Sequence, residues 1–109
     1  MNENNRFNIE DLFNLAIQNQ KENNLEVAKN LYQKILKLQP KFIEAHKNLG
    51  LIYQKSGELD NARKHYEEIV KINPNLIIVQ YNLALIFEQV GEDIKAQTCY
   101  KKIIENNPN

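Results

Sequence analysis

The chain predicts an all-α fold, a solenoid of stacked two-helix units, and three observations carry that expectation. Over 109 residues there are only three Gly and three Pro, while Lys, Glu, Leu and Ile are abundant, a composition that favours helix over turn-rich sheet. Pro40, Pro74 and Pro108 lie 34 residues apart twice over, and a fixed period of roughly 20 to 50 residues is the signature of a repeat architecture. The same step aligns Leu15, Leu49 and Leu83; Ala16, Gly50 and Ala84; Ala28, Ala62 and Ala96; Tyr32, Tyr66 and Tyr100; and Ile35, Ile69 and Ile103.

Within one period the apolar residues fall at helical spacing in two blocks. In the middle unit Leu49, Ile52 and Tyr53 mark a first helix, and Leu59, Ala62, Tyr66, Ile69 and Val70 a second. Ser56-Gly57-Glu58 separates them. Gly57 and Gly91 supply the left-handed residue that ends a helix, and Asn23, the next most tolerant type, fills that place in the first unit. Gln39-Pro40, Asn73-Pro74 and Asn107-Pro108 then stop each second helix, because proline disfavours helical backbone in the residue before it. Residues 1–8 are polar and Asn-rich, with only Phe7 to bury, and are expected to form a mobile tail.

These residues resemble the tetratricopeptide repeat, in three units over 9–42, 43–76 and 77–109. The family pattern is small at the eighth position, large at the eleventh, Ala at the twentieth, aromatic at the twenty-fourth and Pro at the thirty-second. Gly50, Tyr53, Ala62, Tyr66 and Pro74 match it in the second unit, and Ala84, Phe87, Ala96, Tyr100 and Pro108 in the third. The first unit departs from it with Asn19 at the eleventh position, and the fourth, often Trp, is Leu12, His46 and Gln80. The resemblance implies a right-handed superhelix of six helices, in which the helices of a unit cross at a small-residue contact, Gly50 against Ala62 for example, and the first helices line a concave face.

Composition excludes several functions. The 14 Lys and Arg balance the 14 Asp and Glu, which leaves no basic footprint for nucleic acid or an anionic membrane. No apolar stretch suits a signal peptide or a membrane span. The lone Cys99 forms no internal disulfide, so a cytoplasmic location is expected. His46 and His65 lie on different helices of one unit without an Asp or Cys at ligand or triad spacing, Cys99 takes the place that His65 holds one repeat earlier as a surface or packing thiol, and no Gly-rich phosphate loop exists. The reading is therefore not an enzyme, with no catalytic residue, no metal and no cofactor.

The repeat geometry also assigns the ends. Ala45, Ile52, Val79 and Ile86 should meet the preceding unit, and Leu25, Leu38, Leu59 and Ile72 the following one. The first unit has Asp11 and Gln18 in the former places and the third has Asp93 and Asn106 in the latter, so three repeats are expected to be self-contained. The family usually adds a seventh, solvating helix. Without one, Ile103 and Ile104 lack cover, and the last helix either frays or pairs with another chain, making a homo-oligomer through the third repeat.

The groove is the expected binding face. Its rows include Phe13, Lys47 and Tyr81 at the fifth position, Asn14, Asn48 and Asn82 at the sixth, and Ile17, Leu51 and Leu85 at the ninth, with Lys21 and Lys55 at the thirteenth. An Asn amide donates and accepts at once, matching a peptide unit of an extended ligand. The row resembles the asparagine ladder of some family members, the alternative being that Asn is common at this position. The terminal-carboxylate clamp of certain co-chaperone members is matched only at Asn48, since Phe13, Ile17, Ile78 and Asn82 occupy its other places. The expected function is a protein-protein interaction scaffold binding an extended, partly apolar peptide or partner segment of little charge preference. A self-assembly module and an accessory unit of a larger enzyme complex stay open as alternatives.

Overall fold

The computed structural model describes residues 8–107; residues 1–7 of the expected tail, Phe7 among them, and Pro108 lie outside them. Six helices follow in order: α1 Ile9–Lys21, α2 Leu25–Leu38, α3 Ile43–Lys55, α4 Leu59–Ile72, α5 Ile77–Gln89 and α6 Asp93–Asn106. Each packs against its neighbours in the chain, giving an elongated body of 50 × 27 × 22 Å.

The helix ends have local causes. Asn8, placed by sequence in the tail, instead caps α1, where its Oδ1 accepts from the Asp11 amide at 2.9 Å and satisfies one of the donors that a helix start leaves free. The three hairpin turns share one backbone. Asn23 (φ 64°), Gly57 (φ 80°) and Gly91 (φ 84°) take the left-handed conformation expected of them. Their amides donate to the carbonyls of Gln20, Gln54 and Glu88 at 3.1, 3.2 and 3.1 Å, and the next amides, of Asn24, Glu58 and Glu92, reach back to Asn19, Tyr53 and Phe87 at 2.8, 2.9 and 2.8 Å. That pair of reverse bonds closes the last turn of each first helix.

The apolar faces merge into two cores that do not coincide with the sequence period. One holds Leu12, Ala16, Ala28, Tyr32, Ile35, Ala45, Leu49 and Ile52; the other holds Ala62, Tyr66, Ile69, Val79, Leu83, Ala84, Ile86, Phe87, Ala96 and Cys99. The middle unit is thus divided, with α3 closing over α1 and α2 and α4 over α5 and α6. Tyr53 packs against both cores.

Burial refines three sequence expectations. The nearest side chain to Gly50 is that of Tyr66: a Cβ built on Gly50 would stand 2.7 Å from Tyr66 Cε1 and 2.8 Å from Cζ, because the fully buried ring lies against the α3 backbone. Ala45, Ile52, Val79 and Ile86 are buried at the unit boundaries as expected, but Leu38 is 59% exposed. It ends α2, and Phe42 in the following turn covers that part of the first core instead. Finally, α6 runs to Asn106, with Ile104 66% exposed on it.

The Gly50 contact makes a direct prediction. Gly50→Ala forces the Tyr66 ring aside and should destabilise the protein by about 1–3 kcal/mol in urea unfolding. Gly57→Asn, which copies Asn23 into an equivalent turn with nothing within 4 Å of its Cβ, carries only the backbone strain of a side chain at positive φ and should cost about 1 kcal/mol or less.

Candidate functional site

The first helices α1, α3 and α5 bring the sequence-predicted residues into parallel rows, but the rows are not equivalent. Ile17, Leu51 and Leu85 are half-buried at every level. Hollows of about 240 and 300 Å³ flank this stripe at its two ends, the first lined by Ile17, Gln20, Lys21 and Asn48 and the second by Gln54, Leu85, Glu88 and Gln89. In the fifth-position row, Phe13 rests against Tyr32 and Phe42 with ring centroids 6.1 and 5.4 Å apart. Tyr81, 47% exposed, sits edge-on to Tyr100 at 6.3 Å. Lys47 at the middle level is ion-paired with Glu44 at 2.9 Å, in keeping with the little charge preference expected of the groove.

The asparagine row divides as well. Asn14 is exposed and Asn82 half-buried, and neither side chain makes a hydrogen bond among the described residues. Asn48 is buried, 9% exposed, and its Nδ2 donates to the Tyr32 hydroxyl at 3.1 Å, so that donor is committed to joining the first two units. Tyr32 in turn donates to Gln20 Oε1 at 2.5 Å. The same bond recurs from Tyr66 to Gln54 at 3.0 Å and from Tyr100 to Glu88 at 3.2 Å. Burial pushes the Tyr32 and Tyr66 hydroxyls up to about 12, keeping both protonated as donors at neutral pH. Sequence reasoning missed this row, though the signal was present: Gln20, Gln54 and Glu88 also lie 34 residues apart.

A second arrangement was also missed. His46 and His65, on facing helices, bring their Nδ1 atoms to 3.1 Å, and His46 Nε2 lies 2.8 Å from the Pro40 carbonyl oxygen. That oxygen only accepts, so His46 donates from Nε2; neutral His46 then offers a lone pair at Nδ1, and His65 donates to it. Tyr53 stacks on His65 at 5.8 Å with the planes 9° apart, and Lys29 lies over the far ring at 5.3 Å. In the third unit Gln80 repeats the His46 contact, donating to the Pro74 carbonyl at 3.2 Å, and Cys99 replaces His65. Burial raises the Cys99 thiol, whose side chain packs in the second core. Among the described residues no three His, Cys, Asp or Glu converge as metal ligands.

The pair makes stability depend on pH. Burial and then the charge of His46 push His65 down to about 4, against a weaker opposing pull from Glu68. A base whose folded pKa is depressed binds fewer protons folded than unfolded, so its contribution is full above the unfolded value near 6.5 and is lost as pH falls to about 4. The full shift corresponds to about 3 kcal/mol; with the ring half-exposed, screening leaves about 1–2 kcal/mol, or several degrees in Tm. The double variant His46→Gln, His65→Cys, carrying the third unit's own pair, should lose less stability than the parent between pH 6.5 and 4 in parallel thermal melts.

Family models described as "Tetratricopeptide repeat" match residues 43–76 and 78–109. No curated protein matches the chain. Two crystal structures of the protein MamA superpose at 27% identity with TM-scores of 0.83 and 0.85, over 92% of this chain in both cases and 55% and 58% of theirs. A tetratricopeptide repeat protein from Parabacteroides merdae superposes with a TM-score of 0.89 at 25% identity, over 94% of this chain and 40% of its own. The chain therefore spans between 40% and 58% of the length of these three solved proteins. With three helical hairpins, the left-handed turn in each, and family models matching its second and third units, the chain belongs to the tetratricopeptide repeat family.

Proposed function

We propose that the chain is a non-catalytic protein-interaction scaffold that holds an extended, partly apolar segment of a protein partner along the face of α1, α3 and α5. The observation that carries this reading is the stripe of Ile17, Leu51 and Leu85. All three remain half-exposed, while Ala16, Leu49, Ile52, Leu83, Ala84 and Ile86 on the same helices are buried. A strip of that kind flanked by hollows on the scale of one side chain suits a peptide that inserts apolar residues at intervals. Asn14 and Asn82 offer amides beside it, and Phe13 and Tyr81 supply aromatic surface at the two ends. Lys47 borders the middle. Asn48 takes part through its carbonyl oxygen, one of the two N–H groups of its amide being held by Tyr32. A cytoplasmic setting belongs to the same reading, supported by the single Cys99; among the described residues no helix is long and apolar enough to cross a membrane.

A second reading, self-association through the outer face of the third unit, rests on Ile94 and Ile104, which are 79% and 66% exposed on α6. They border a hollow of about 390 Å³ with Gln97, Thr98, Tyr100 and Lys101. The two readings rest on different residues, Asn82 and Leu85 on α5 against Ile94 and Ile104 on α6, and are separable by mutation.

Leu51→Asp combined with Asn82→Ala should weaken capture of a groove-bound peptide by about tenfold or more, from the micromolar affinities typical of such grooves, with helicity unchanged. Asn48 is spared in this test because its loss would loosen Tyr32. Unchanged binding would refute the groove. Ile94→Asp leaves the groove intact and should matter only if sedimentation velocity shows a mass that grows with concentration.

A further inference from the structure

We infer that the third-unit level of the groove takes a basic side chain of the bound segment, arginine for preference, and so fixes which way the segment runs. This deepens the groove reading and rests on it.

The twelfth repeat position is a neutral amide in the first two units, Gln20 and Gln54, and a carboxylate, Glu88, in the third. In each unit the side chain does the same structural work, accepting a hydrogen bond from the tyrosine of the second helix. Glutamine satisfies that contact, so the charge of Glu88 is surplus to the fold. Glu88 is exposed, lines the hollow beside Leu85, and takes part in none of the ion pairs formed among the described residues. The adjoining thirteenth position changes in step, from Lys21 and Lys55 to Gln89. Charge along that rim therefore runs positive, positive, negative. Tyr81 and Tyr100 stand at the same level, Tyr81 half in solvent, and an aromatic face next to an unpaired carboxylate is the pairing that a planar guanidinium satisfies by stacking and by charge-assisted hydrogen bonding. A segment with a basic residue at this end and neutral or acidic residues towards Lys55 and Lys21 is complementary to the groove in one direction only.

The test is selection of random decapeptides by mRNA display against the full chain, with Glu88→Gln, Gln54→Glu and Leu51→Asp as parallel baits. Glu88→Gln copies Gln54 into its own structural role, so its fold should hold, as far-ultraviolet circular dichroism would verify. The expected result is that peptides lost on Leu51→Asp carry Arg or Lys at one fixed spacing from an apolar residue. They should bind Glu88→Gln about tenfold more weakly, and Gln54→Glu should enrich a second basic position. Peptides that depend on Leu51 but carry no favoured basic position, or bind Glu88→Gln equally well, overturn the inference and leave the groove reading standing. No peptide dependent on Leu51 overturns both.

Discussion

Everything in this molecule hangs on where the second-helix tyrosine goes. Tyr32 and Tyr66 are large, carry a hydroxyl, and are wholly buried, so their hydroxyls must find partners within the protein. They do so across the hairpin, on Gln20 and Gln54. One bond therefore sets the rotation of both helices of a unit about their axes, and that rotation decides which residues of α1 and α3 face the groove. Gly50 follows from the same constraint: its missing side chain is the space that the Tyr66 ring fills. The groove is a by-product of seating a tyrosine.

The two cores show how the units share the work of burial. Each sequence period ends at a proline, yet the buried clusters are α1 to α3 and α4 to α6. A first helix has an apolar face towards its own partner and another towards the preceding unit, as the burial of Ala45, Ile52, Val79 and Ile86 shows. A single hairpin could cover only one of those faces, which is why repeats of this kind stand only in stacks. The surface ion pairs reinforce single helices instead: all of them join residues three or four apart, where they contribute a few tenths of a kcal/mol each.

The helical hairpins, their left-handed turns and the buried unit boundaries were legible in the sequence because each depends on one residue type recurring at one spacing. What stayed hidden depends on two side chains meeting. His46 and His65 are unremarkable singly, and only the crossing of α3 over α4 turns them into a hydrogen-bonded pair. Asn48 was legible as a member of a row but not as the member that Tyr32 recruits, because among the described residues neither Asn14 nor Asn82 makes the equivalent contact. Leu38 failed for a different reason. Periodicity places it on the apolar face, but it is the last residue of its helix, beyond the region where the next helix packs. Proline spacing indicates where a helix stops and not how far its neighbour reaches.

The division of the middle unit has a mechanical consequence. The junction between the two cores runs between α3 and α4, through the turn at Gly57, and is held by Tyr53, by the histidine pair and by the Tyr66 ring on Gly50. The two halves, residues 8–56 and 58–107, are therefore joined by a closely packed seam, with the fully buried Tyr66 ring against the Gly50 backbone at its centre. A segment lying across α1, α3 and α5 bridges that junction from outside, so an occupied groove acts as a splint that couples the blocks. A substitution inside the seam, such as Gly50→Ala, therefore reaches the groove without touching the segment that lies in it.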